Sequence, residues 1–252
     1  MTVAAPGLSV VVPAYNEEGR IAGTLERIAA YLSALPFECE LILVDDGSSE
    51  AGRQALDEVL PGEGLRPGVV RRLLSHETNR GKGAAVRTGC LAAQGRYVAF
   101  IDADLATPPE ALGALIEALD AGADVAIGVR NQADGSDMRN RRSLKRRLAG
   151  KAFAVAVRTL LLPGLRDSQC PAKAFRHEAA QRLFQLQRID SWSFDAEVLY
   201  LARRLGMTMV QVPVSWTAVE GSHFRMWRSV GELLQLARIR WMHRGVSASP
   251  PA

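Results

Sequence analysis

Cysteine is scarce in this chain of 252 residues. Cys39, Cys90 and Cys170 are the three present. Odd in number and scattered, they exclude a disulfide framework and fit a reducing compartment such as the cytoplasm. Long apolar runs are missing too. The longest, Ala152–Val157 and Leu160–Leu162, are separated by Arg158 and fall short of the ~18 residues a membrane span needs. No secretory leader is expected, because Met1–Gly7 is short and carries Pro6. No Gly-x-Gly-x-x-Gly follows the first strand, which argues against a dinucleotide-dependent dehydrogenase. Asn79-Arg80-Gly81-Lys82-Gly83 lacks the full P-loop pattern. Repeats and low-complexity segments are absent. What is present is ordinary for a soluble globular domain: 48% apolar and 23% charged residues, in a chain long enough to bury a sizeable core. The net charge is +4, unevenly spread. Arg139, Arg141, Arg142, Lys145, Arg146, Arg147 and Lys151 form a block without an acidic residue. Such a block suits a phosphate-rich ligand, an anionic membrane surface, or simply a solvated helix face.

Strand and helix signals alternate through the first half, which predicts an α/β fold with a mostly parallel central sheet. Strands are expected at Leu8–Val12, Leu41–Val44, Val69–Leu74, Tyr97–Ile101 and Ala123–Val129. Between them, helices are expected on Ile21, Leu25, Ile28 and Leu32, and at Glu50–Leu60, Gly81–Ala93 and Pro108–Leu119. The pattern changes after Arg130. A polar loop, Asn131–Asp137, leads into a basic then apolar helix from about Asn140 to Leu162. Shorter elements follow: a strand near Ala172–Phe175, helices near His177–Gln185 and Phe194–Leu205, and a strand near Thr208–Val214. A helix from Met226 to His243 closes the domain, and a flexible tail is expected over 245–252. The organisation expected is one domain over 1–244, with a nucleotide-binding half at 8–130 and an acceptor half at 131–244.

The chemistry concentrates where strands end. Asp102-Ala103-Asp104 follows the apolar run Tyr97–Ile101, at the sheet edge where open α/β folds bind ligands. Two carboxylates one small residue apart can offer several oxygens to a hard divalent cation, which in turn can hold a diphosphate. Pro13 ends the first strand and turns Ala14-Tyr15-Asn16-Glu17 outward. Asp45-Asp46-Gly47-Ser48 ends the second; its carboxylates can accept from a base or ribose, and Asp46 or Ser48 can equally cap the next helix. Gly81, Gly83, Ala84 and Ala85 suit close helix packing as well as an anion cradle with Arg80 and Lys82.

In order and spacing, these motifs resemble family-2 glycosyltransferases of the GT-A fold. The branch they are most similar to comprises dolichyl-phosphate β-glucosyltransferases and other polyprenyl-phosphate glycosyltransferases. Asp167-Ser168-Gln169-Cys170, Ser193-Phe194-Asp195-Ala196-Glu197 and Pro213-Val214-Ser215-Trp216 carry the resemblance into the second half. It implies a three-layer α/β/α sandwich and a metal-dependent, inverting transfer of a hexose, chiefly glucose from UDP-glucose, to a polyprenyl phosphate at the cytoplasmic membrane face. Residue by residue, it implies donor contacts by Pro13, Tyr15, Glu17, Asp45, Asp46, Lys82, Asp102, Ala103 and Asp104. Mg²⁺ or Mn²⁺ would be held by Asp102 and Asp104, with His223 completing the set unless it is a plain loop histidine. Asp195 and Arg130 would be catalytic, and Gln169, Lys173, Arg141 and Trp216 would meet the acceptor. An anionic membrane surface is an expected partner, met by the basic block and by Trp227, Trp241 and Arg238. Nucleic acid is not.

This sequence also departs from the pattern. Mannosyl-transferring relatives carry Gln where this chain has Ala106, followed by Thr107, which favours the glucosyl branch. Pro171-Ala172 replaces Gly-Phe, and Ala218 replaces a Glu. Three alternatives stay open: mannosyl transfer from GDP-mannose, transfer to a saccharide or soluble hydroxyl, and a nucleotide-sugar-binding regulator without turnover.

Overall fold

The structure, a computed structural model, describes residues 5–59, 68–131, 157, 159, 161–217 and 229–247. In chain order its elements are β1 (Leu8–Ala14), α1 (Ile21–Ser33), β2 (Cys39–Asp45), α2 (Glu50–Val59), β3 (Val69–Ser75), α3 (Lys82–Ala92), β4 (Tyr97–Phe100), α4 (Ala111–Asp120) and β5 (Val125–Asn131). They continue with β6 (Lys173–Arg176), α5 (His177–Leu186), α6 (Phe194–Arg204), β7 (Met209–Ser215) and α7 (Ser229–Met242). The seven strands form one sheet in the order β3-β2-β1-β4-β6-β5-β7. β6 runs antiparallel to both its neighbours, and every other pairing is parallel. The sheet is therefore mostly parallel, as the alternation of elements predicts.

The central strands are buried on both faces, which is why they read as unbroken apolar runs. Side chains still alternate. Val11, Val98 and Phe100 enter one core with residues of α3, α5, α6 and α7. Leu8, Val10, Val12, Tyr97 and Ala99 enter the other with α1 and α4. α1 buries Ile21, Leu25, Ile28 and Leu32 at helical spacing. α3 lies so close to the sheet that a Cβ on Gly89 would stand 2.3 Å from a Val11 methyl. Four phenylalanines fill the first core, Phe100 against Phe175 and Phe194 at 6.2 and 5.7 Å, and Phe175 edge-on to Phe184 at 5.4 Å.

Pro13 does not end β1. The strand runs on to Ala14, with Pro13 opposite Val44 of β2. Val11 points its carbonyl to the β4 side, where it accepts from Ile101 N at 3.1 Å. Pro13, two residues on, turns its nitrogen to the same side, past the last β1–β4 pair, Val11–Phe100. No ladder bond is lost there. The strands expected at Ala123–Val129 and Ala172–Phe175 are shifted to Val125–Asn131 and Lys173–Arg176. The expected tail from 245 is not free at its start, because Arg204 Nε donates to Val246 O at 2.7 Å. The basic block and nearly all of the helix expected over 140–162 lie outside the described residues, as does 248–252.

Candidate active site

The parallel strands β1, β2, β4, β5 and β7 end at one edge of the sheet, and antiparallel β6 begins there. Topology thus gathers the sequence motifs that lie at described strand ends onto one rim. Beyond β1, Tyr15 is 43% exposed. Asn16 takes a left-handed φ of 53°, a conformation uncommon for side-chain-bearing residues but tolerated by asparagine. Its backbone N–H donates to Ser48 Oγ at 3.0 Å and its side-chain Oδ1 accepts from Ser49 N at 2.8 Å. This ties the β1 loop to the β2 loop. Glu17 is paired with Arg20 at 2.9 Å.

The two carboxylates after β2 behave differently. Asp45 is 1% exposed. Its Oδ1 accepts from Ser48 N at 3.1 Å, while its buried Oδ2 has no hydrogen-bond partner among the described residues. A buried acceptor left open costs on the order of 1–3 kcal/mol, and a ligand N–H or O–H offsets that. Asp46 is occupied by the protein itself. Its carboxylate accepts from Arg80 N at 3.0 Å and Gly81 N at 2.7 Å and meets His76 Nδ1 at 2.7 Å. Of the pair expected to touch the donor, Asp46 instead holds the loop before α3.

That loop ends on Gly81, with φ at 111° and a hypothetical Cβ only 2.4 Å from Asp190 O. Lys82 follows. Its Nζ lies 2.6 Å from Asp102 Oδ1 and 4.7 Å from the Trp192 ring centroid. Past β4, Leu105 N donates to Asp102 O at 3.1 Å, and Leu105 adopts φ 49°. This tight turn sets Asp102 and Asp104 on one rim. Thr24 Oγ1 donates to Ala103 O at 2.7 Å, so Ala103 anchors the turn through its backbone. Asp104 Oδ1 accepts from Ala106 N at 3.0 Å. Burial, with neighbouring Asp102 adding, raises the Asp104 pKa. A cavity of about 580 Å³ opens beside it, lined by Arg20, Thr24, Arg27, Ala106 and Thr217 among others.

Asp195 and Lys173 form a buried pair, 3% and 1% exposed. Lys173 Nζ donates to Asp195 Oδ1 at 2.6 Å and to Cys170 O at 2.6 Å, and lies 5.4 Å from the Phe100 ring centroid. Burial raises the Asp195 pKa, against the pull of Lys173 and Lys82. Lys173, expected at the acceptor, faces inward and holds Asp195 instead. Arg130 grips Asp167 with two bonds, Nε to Oδ2 at 2.6 Å and Nη2 to Oδ1 at 2.8 Å. Its guanidinium lies 5.6 Å from the Trp216 ring centroid. Burial works to raise the Asp167 pKa, but the Arg130 bonds prevail and hold it low. Gln169 N donates to Asp167 Oδ1 at 3.2 Å, and its buried side-chain Nε2 has no partner among the described residues. Pro13 is half-buried below Tyr15 in the chain. Arg141 and His223 lie outside the described residues.

Among the described residues, no group of three or more His, Cys, Asp and Glu side chains forms a metal cluster. The Asp102–Asp104 turn nevertheless fits a hard divalent cation. It offers carboxylate oxygens only, and Asp104, whose pKa is raised by burial first and by Asp102 beside it, holds a charge that a bound cation would stabilise. Trp192 and His76 join the site without having been singled out in the sequence, and Asp167, part of a motif there but given no role, joins it as the partner of Arg130. Trp192 stands three residues before Asp195, a position that could have drawn attention to it.

A ligand rim at the strand ends, with an open carboxylate after β2 and a carboxylate pair after β4, is the layout of an α/β transferase. Residues 9–184 match the model of "Glycosyl transferase family 2". The chain is 35% identical over 248 residues to a dolichyl-phosphate beta-glucosyltransferase of Dictyostelium discoideum, covering 94% of this chain and 74% of that protein. It is 32% identical over 254 residues to the dolichyl-phosphate beta-glucosyltransferase of Homo sapiens, covering 93% and 76%. Among solved structures, glucosyl-3-phosphoglycerate synthase from Mycobacterium tuberculosis, in complex with Mn²⁺, UDP and glucosyl-3-phosphoglycerate, superposes with a TM-score of 0.66. It is 22% identical, with 97% of this chain and 82% of that chain covered. This chain belongs to glycosyltransferase family 2, with the GT-A fold, and is a glycosyltransferase.

Proposed function

We propose that this chain moves glucose from UDP-glucose to a polyprenyl phosphate, with a divalent cation, at a membrane face. The observation that carries the reading is the meeting on one rim of two features: the open buried oxygen of Asp45 and the Asp102–Asp104 turn beside Lys82. The first suits a base or ribose donor group. The second suits a diphosphate. The names of its relatives supply the sugar and the lipid.

Each residue then has a task. Tyr15 offers an exposed ring to the base. Asp45 accepts from base or ribose. Asp102 and Asp104 hold the cation, which when bound neutralises charge on the leaving diphosphate. Lys82 adds a cation on the same side. Arg130, its side chain 35% exposed, spends two bonds on Asp167 and turns the rest of its guanidinium to an anion. Trp216 backs it, and Gln169 brings an unpaired amide. A phosphate nucleophile is already anionic and asks little of a general base. Asp195, buried in an ion pair with Lys173, suits positioning better than proton abstraction. Ala106, a small residue beside Asp104, leaves the adjoining cavity open. No helix among the described residues is long and apolar enough to cross a membrane. Trp241, 66% exposed with the Arg244 guanidinium 5.1 Å from its ring centroid, gives α7 a basic-aromatic feature suited to an anionic bilayer surface.

The test is nucleoside diphosphate release from UDP-glucose and GDP-mannose, with Mg²⁺ or Mn²⁺, with and without a short-chain polyprenyl phosphate. Lipid-dependent release from UDP-glucose is expected. Release from GDP-mannose alone overturns the donor, and equal release without lipid overturns the acceptor.

A further inference from the structure

A line of buried and half-buried polar side chains runs behind the loop that presents Lys82. Thr88 Oγ1, on α3, lies 2.9 Å from His76 Nε2. His76 Nδ1 lies 2.7 Å from Asp46 Oδ1. Asp46 then accepts the backbone N–H groups of Arg80 and Gly81, one on each carboxylate oxygen. His76 is itself pinned, its backbone N–H donating to Asp45 O at 2.8 Å. The ring is buried, 9% exposed, and both its nitrogens are engaged within the protein.

We propose that His76 is a positioning residue for donor binding: it fixes the Asp46 carboxylate, which holds the Arg80–Gly81 turn and thereby aims Lys82 at the diphosphate. The proposal rests on Lys82 being a donor contact. The physical case begins with the carboxylate. The two amides, one on each oxygen, oppose rotation about the Cβ–Cγ bond but leave the side chain free to rock about Cα–Cβ. A third bond from a different direction, from a ring braced on both sides, removes that freedom. The turn needs such a brace, because Gly81 stands at φ 111° and the chain must pass at once into α3. Thr88 lies on that same helix. The relay therefore closes a ring: helix α3, His76, Asp46, turn, and α3 again. Lys82, the first residue of α3, sits where the ring closes, and its Nζ reaches the rim.

The test compares His76→Asn with His76→Leu in the full chain. The two replacements are similar in size, and only Asn keeps a side-chain N–H for Asp46. His76→Leu is expected to weaken UDP binding about tenfold, as for one lost hydrogen bond to a charged group. Its kcat at saturating donor should stay within about threefold, since His76 touches no reacting atom. Amide exchange at Arg80 and Gly81 should quicken. His76→Asn should recover most of both. Should His76→Leu fail to fold, Thr88→Val carries the test: it leaves the ring in place, removes its outer brace, and should show the same split at about threefold. Equal weakening by Asn and Leu, or a fall in kcat with unchanged donor affinity, overturns the proposal. Wild-type affinity for UDP over GDP judges the donor reading separately. The exchange rates need no ligand, so they judge the relay whichever nucleotide binds.

Discussion

Replacing Lys173 by Met tests how the buried Asp195 is kept. In the wild type, the ammonium and carboxylate are 1% and 3% exposed and 2.6 Å apart. The Met side chain fills a comparable volume but leaves the carboxylate without its partner. Removing one member of a buried ion pair costs about 3–5 kcal/mol. Asp195 can lessen this by taking a proton, and the structure gives the direction. Burial already raises its pKa, and Lys173 pulls against that rise. Without Lys173 the pKa climbs further. A carboxyl whose folded pKa lies above its unfolded one stabilises the fold in acid and loses that stability as pH rises through the folded value. The wild-type Lys173, meanwhile, loses its partner in acid. The gap between wild type and Lys173→Met should therefore be widest near neutrality and shrink as pH falls. The double variant Lys173→Met, Asp195→Leu should recover most of the loss, because no unpaired charge remains. Urea denaturation followed by tryptophan fluorescence across pH measures all three. A penalty independent of pH, or a double variant no more stable than Lys173→Met, would refute the reasoning.

Gly81→Ala should cost about 1–3 kcal/mol in the same denaturation assay, since it adds a Cβ at a φ that side chains rarely adopt and 2.4 Å from Asp190 O. Asp104→Asn should remove most of the metal-stimulated UDP release while leaving the melting temperature unchanged or higher, because burial already disfavours the ionised group. His243→Ala should cost about 1–3 kcal/mol: its Nε2 lies 2.7 Å from Glu197 Oε1, and Glu197 is 0% exposed.

The fold was legible where burial alone dictates sequence. β1, β2 and β4 are apolar because both faces are covered, and their ends are marked by the polar residues that serve the rim. Local pattern carried less about direction. β6 is four residues long, and nothing in Lys173–Arg176 announces that it runs against its neighbours. The site was legible as a set of motifs, not as a division of labour. Asp45 and Asp46 are adjacent, and adjacent residues at a strand end point to opposite sides; one is open to a ligand and the other is spent on Arg80 and Gly81. Lys173 reads as a cation in a motif, yet its burial follows from pairing with Asp195, 22 residues away. His76 is a lone histidine in sequence, and only the fold sets it between Asp46 and Thr88.

The proposed donor rim is not the work of the first half of the chain. Gly83 N donates to Asp190 O at 2.8 Å, and Gln187 Nε2 donates to Gly83 O at 2.9 Å. Arg87 pairs with Asp190 at 2.7 Å, and Lys82 faces Trp192. Glu197, on α6 with Asp195, accepts from Arg188 N and Ile189 N at 3.0 and 2.8 Å, and so sets the segment on which the loop before α3 rests. Lys82 and Asp195 thus share one scaffold, residues 187–197. A displacement of that segment moves both together. Donor affinity and turnover should then fall jointly when the segment is loosened, as by His243→Ala, and separately when only the His76 relay is cut. This difference distinguishes the shared scaffold from the donor-side brace.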